Sequence, residues 1–153
     1  MENKPIKIII HHDGISREGD SFDVINAYHK EKWEFISSLG FYVGYQYIIE
    51  KTGAIRQARA DNEEGAHTLG ENTRSIGIML AGNFDVDVPT WDQIEALGIL
   101  LSTLSASYNI PKEQILPHRA FAGKSCFGSN LPDDWGQKVL EYRKAKLAVS
   151  KIG

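Results

Sequence analysis

Hydrophobic and polar positions along this chain change period several times, and each change marks a predicted element. Ile6 to Ile10 ("IKIII") is β-branched and continuous but for Lys7, the pattern of a central strand, and it ends at His11 and His12. In "SFDVINAYHKEKWEFISSLG" the apolar and aromatic residues Val24, Ile25, Tyr28 and Phe35 suit an amphipathic helix that Gly40 stops. "YQYIIEKTGAIRQAR" reads as two strands around a turn at Lys51, Thr52 and Gly53. Beyond the polar loop "EGAHTLGENTR", which carries His67, "SIGIMLAGNF" is again an interior strand. "TWDQIEALGILLSTLSASYNIP" sets Thr90 and Gln93 in capping-box relation, puts Ile94, Leu97, Leu101, Leu104 and Tyr108 on one stripe and closes at Pro111. "QILP" reads as a short strand, and Pro132 is placed to open a last helix running toward Lys146. The order predicts an α/β fold with a mixed central β-sheet flanked by about three α-helices.

Composition narrows the partners. A chain of 153 residues without repeat or linker is expected to be a single domain over 1–153, and a monomer. No apolar run reaches membrane-spanning length, so no membrane insertion is expected. The net charge of −3, with Lys and Arg scattered, argues against nucleic acid as a partner. "MENKPIKIII" runs into the histidines without a cleavage site, so no signal peptide is expected and synthesis is expected to leave the protein in the cytoplasm.

The chain has one cysteine, Cys126, in "HRAFAGKSC", eight residues after His118 and two after Lys124. A lone cysteine is usually a small core residue, and Lys124 alone would be a solvated loop charge. Side chains alternate along a strand, so His11 and His12 cannot both enter one site unless the strand has already broken. A histidine at a strand end, a second before a loop and a thiolate at the end of that loop nonetheless offer two nitrogens and one sulfur. Zinc accepts that set with a fourth position left for water, as in catalytic sites. His29, on the first helix, has no partner motif and reads as surface. Trp33, Trp91 and Trp135 read as core or helix-flank residues, and Asp13 and Asp85 as turn residues that could also fix an imidazole.

"IIIHHDG", "GFYVGYQYIIEKTG", "GAHTLGENTRSIGIMLAGNF" and "HRAFAGKSC", in this order and at these separations, resemble the zinc-dependent N-acetylmuramoyl-L-alanine amidase family. That family includes phage endolysins and the peptidoglycan recognition proteins. The resemblance implies Zn2+ held by His11, His118 and Cys126, with His12 a neighbour rather than a ligand. It implies a catalytic tyrosine at Tyr45 and a catalytic lysine at Lys124. His67 would line the peptide groove, and Asn72, Asn83 and His12 lie in the matching stretches as substrate-binding candidates. The implied substrate is peptidoglycan or a muropeptide and the implied activity is hydrolysis of the N-acetylmuramic acid to L-alanine amide, without a separate wall-binding domain. The alternative is a recognition module that binds without cutting. Two departures stand out. Phe127 replaces the proline that commonly follows the family's cysteine, and Met79 stands where another branch carries a catalytic glutamate.

Overall fold

In a computed structural model describing residues 4–14 and 21–152, strand β1 (Lys7–His12) lies inside a five-stranded sheet. Its neighbours are β4 (Ser75–Leu80) and β5 (Ile115–Pro117), both parallel to it. Beyond β4 come β2 (Tyr47–Ile49), parallel, and β3 (Ile55–Gln57), antiparallel to β2. The order across the sheet is β3-β2-β4-β1-β5. The continuous apolar run of the sequence has its reason here: Ile8, Ile9 and Ile10 are fully buried, as a strand between two parallel partners and under helices on both faces requires.

Pleat alternation divides the core into two. Ile8, Ile10, Ile76, Ile78 and Leu80 face helices α2 (Trp91–Tyr108) and α3 (Trp135–Ile152) and pack with Leu97, Leu101, Leu104, Val139 and Leu140. Ile48 and Met79 face the other way, toward Phe22 and Ile25 of helix α1 (Phe22–Trp33). The expected mixed sheet with three helices is the observed architecture. No helix of the described residues is long and apolar enough to cross a membrane.

Helix α2 starts as its sequence dictates: Thr90 accepts a hydrogen bond from the Gln93 N–H at 3.1 Å, and the Gln93 side chain accepts one from the Thr90 N–H at 3.0 Å. The hairpin turn at 51–53 also forms, with Gly53 at φ 89°. Helix α1 differs from the expectation. It ends at Trp33 because Glu34 adopts the left-handed conformation, φ 51°, and its N–H closes on Lys30 O. Its buried face is Phe22, Ile25 and His29, while Val24 and Tyr28 are exposed, so of the expected stripe within the helix only Ile25 meets the core. Helix α3 begins three residues after Pro132, whose carbonyl accepts from Trp135 N–H at 3.0 Å, and runs past Lys146.

Candidate metal centre

The site lies at the carboxyl ends of β1 and β5. His11 and His12 are the last residues of β1 and they do point to opposite faces. His12 turns to the α2 side, where its Nδ1 accepts the Phe84 N–H at 3.0 Å. His11 turns to the other face and meets the rings of His118 at 4.4 Å, Tyr45 at 4.9 Å and His67 at 5.0 Å between centroids. His118 follows β5 directly, in a short 3-10 turn (His118–Ala120). Cys126 arrives on the following loop, its Sγ accepting the His12 N–H at 3.3 Å. One donor atom each from His11, His118 and Cys126 lie within 4.8 Å of one another.

The chemistry of the three donors suits a thiophilic divalent ion. Burial, reinforced by neighbouring His67 and His118, holds His11 well below the usual imidazole range; burial and then Lys124 lower His118. Both rings therefore stay neutral with a lone pair to give. Burial pushes the Cys126 thiol up to about 11, so a cation at the site is what would draw its proton off. Zinc takes nitrogen and sulfur donors of this kind, and three of them within 4.8 Å of one another can serve one ion.

A cleft of about 850 Å³ opens over these donors. One wall is α1 with the segments around Tyr45 and His67. Tyr45 is half-buried against the rings of His11 and His67, and burial raises its pKa, so the phenol keeps its proton. His67 Nδ1 lies 3.1 Å from His11 Nε2 and 2.9 Å from Thr68 Oγ1. Its Nε2 is buried with no partner among the described residues, and burial depresses the ring to about 3. Gly77 of β4 makes this possible, since a Cβ there would stand 2.6 Å from the His67 ring. Asn72 accepts the N–H groups of His67 and Thr68 at 2.9 and 2.8 Å and so shapes the loop that presents His67.

Two residues of this wall escaped the sequence reading. His29 is buried, not on the surface: its Nδ1 accepts the Gly44 N–H at 2.8 Å, and burial lowers it to about 4. Arg59 is fully buried, its guanidinium spent on backbone carbonyls, Val43 O at 2.6 Å, Glu64 O at 3.3 Å and Phe35 O. It ties together Val43 just before Tyr45, Glu64 just before His67, and Phe35 just beyond α1. An isolated arginine among polar residues carries no periodic signal of such a role. Trp33 is 41% exposed and edges the cleft rather than the core, whereas Trp135 packs on the core as expected.

The opposite wall is the loop from His118 to Asp133. Lys124 stands exposed at its tip, lining the cleft. Asp85 accepts Ser125 Oγ at 2.9 Å and Ser129 N–H at 2.7 Å, so it fastens this loop, and Asp13 accepts the Gly82 N–H at 3.0 Å. At the imidazoles, His11 Nε2 lies 3.1 Å from His67 Nδ1, and His12 Nδ1 accepts the Phe84 N–H. Asn83 is not brought to the cleft: it forms the turn after β4, its Oδ1 accepting Asp85 N–H at 3.1 Å and its carbonyl accepting from Val86 and Asp87. Phe127 packs edge-on to Trp135 in the core.

A family model described as N-acetylmuramoyl-L-alanine amidase matches residues 1–129. Peptidoglycan-recognition protein SC2 of Drosophila melanogaster is 35% identical over 109 residues, 70% of this chain and 56% of that protein. The endolysin of Escherichia phage T7 is 33% identical over 104 residues, 64% of this chain and 67% of the endolysin. The chain thus spans little more than half the length of the recognition protein and two thirds of the endolysin. The solved structure of the N-acetylmuramoyl-L-alanine amidase LysC from Clostridium intestinale is similar at TM-score 0.73 and 29% identity, covering 95% of this chain and 87% of that one.

Proposed function

The chain belongs to the N-acetylmuramoyl-L-alanine amidase family, and on that premise we propose that it is a zinc-dependent peptidoglycan hydrolase cutting between N-acetylmuramic acid and the L-alanine of the stem peptide. The observation that carries this reading is the convergence of His11, His118 and Cys126 donors within 4.8 Å on the floor of an open cleft. Zinc, when bound, supplies Lewis-acid chemistry, polarising an amide carbonyl and making a water nucleophilic near neutral pH. The work of this chain is to hold that ion with two neutral imidazoles and one thiolate and to arrange the rest of the site around it.

Tyr45 is the hydrogen-bond donor of the site. With its phenol held protonated, it can donate to the oxygen that gains negative charge as the amide carbonyl is attacked. Lys124 brings a positive charge to the mouth of the cleft, where it would stabilise the same developing charge. His67 lines the cleft and is assigned as a substrate contact on that ground, and Asn72 fixes the loop that presents it. Met79 pairs in register with His11 and is fully buried, so that position of the strand offers no carboxylate and the polar role falls to Tyr45. Such an activity fits an endolysin or a wall-remodelling enzyme acting on the bacterial cell wall.

Purified peptidoglycan incubated with the zinc-loaded protein tests the reading. Mass spectrometry is expected to find stem peptides with a free L-alanine amino end, lost after chelation and restored by zinc. Muropeptide binding without any cleavage by the loaded protein would support the recognition module instead.

A further inference from the structure

Beside the contacts that Asp85 makes to Ser125 and Ser129, one side chain within the cysteine loop bonds it on both sides of the cysteine. Arg119 follows His118 directly, and its own N–H donates to Cys126 O at 2.5 Å. Its guanidinium then spends itself on the flanks of that cysteine. Nη1 donates to Ser125 O at 3.3 Å and Gly128 O at 2.8 Å, Nη2 to Leu131 O at 2.5 Å, and Nε to Asp133 Oδ1 at 2.6 Å. The cation also lies 5.2 Å from the centroid of the Phe127 ring, the residue next to Cys126. A planar fork with five donors suits this job, and an ammonium cannot reproduce it.

We propose that Arg119 is the positioning residue of the metal centre. It ties the peptide groups on both sides of Cys126 to the residue next to His118, so that the third donor is assembled onto the first two before any ion arrives. The proposal rests on the zinc reading and deepens it. Without Arg119, three backbone carbonyls lose their donor and the loop gains freedom that metal binding must then remove. Loss of an orienting contact behind a ligand typically costs about 10–100-fold in metal affinity. Lys124 precedes Ser125, whose carbonyl Arg119 holds, so the same contacts set where the tip of the loop stands.

The test is a double-mutant cycle on zinc affinity, read by competition with a chromophoric chelator on the intact chain: wild type, Arg119→Gln, Cys126→Ser and the pair. Expected is a loss of about 10–100-fold for Arg119→Gln, with little further loss when Cys126 is already serine. An equal loss in both backgrounds would mean that Arg119 acts on the fold and not through the cysteine, and would overturn the proposal, as would unchanged affinity. If Arg119→Gln does not fold, Arg119→Lys carries the same comparison, with an intermediate loss expected and wild-type affinity contradicting. Failure of the underlying zinc reading looks different, because the wild type itself would then bind no zinc tightly.

Discussion

Two parts of the molecule contribute donors to one site, and they are built differently. His11 and His118 leave the ends of neighbouring parallel strands, paired at Ile10 and Pro117 just before them. Cys126 and Lys124 sit on a loop with no strand or α-helix of its own between Ala120 and Trp135. The strand donors inherit their positions from the sheet, whose isoleucines each contribute roughly 1.5–3 kcal/mol on burial. The loop donor has no strand beneath it: Cys126, Phe127 and Leu131 pack on the core, and polar contacts made by Arg119 and Asp85 hold the rest of the loop. A metal would join the stable half of the site to the adjustable half.

The largest effect is expected from breaking the strand half. His11→Ala removes one of the three donors, and turnover of purified peptidoglycan is expected to fall below detection with the far-UV spectrum unchanged. Tyr45→Phe deletes one donor from the wall while leaving its ring packing, so kcat should drop by about 10²–10³ with KM little changed. Arg59→Ala should act on stability instead. It strands buried carbonyls and costs about 3 kcal/mol, which lowers Tm by roughly 6–12 °C in a chain of this size. Chelating the metal sharpens the contrast further. Hydrogen exchange should accelerate at amides of the loop, such as Gly128 and Leu131, and hardly at all in β1 and β4. Acid gives the smallest effect. Glu71 is held below the usual carboxylate range by hydrogen bonds from Arg74 and Lys7, tying the His67 loop to β1. Its contribution is complete above the unfolded carboxylate pKa and is lost as pH falls through the folded one. Tm should therefore fall on acidification less steeply in Glu71→Gln than in the wild type.

What could be read in the sequence follows the same division. Strand β1, the Thr90 capping box and the spacing of His118 and Cys126 are legible because periodicity, caps and donor chemistry are local. The end of α1 was not, since Glu34 takes a left-handed conformation that no glycine announces. His29, Arg59 and Arg119 were not, because each bonds backbone atoms distant in sequence or hidden in a loop, and such partners leave no pattern in residue type. Asn83 shares a stretch with family motifs but forms a turn of its own, which shows that a matching stretch does not aim every side chain at the cleft.

The central claim is that the two halves meet at one metal ion through a sulfur and two nitrogens. The visible and near-ultraviolet absorption of the cobalt-substituted protein tests it most directly. The account predicts intense tetrahedral ligand-field bands with a thiolate-to-cobalt charge-transfer band that disappears in Cys126→Ser. Cobalt bound without that band, or a band that survives in Cys126→Ser, would contradict it.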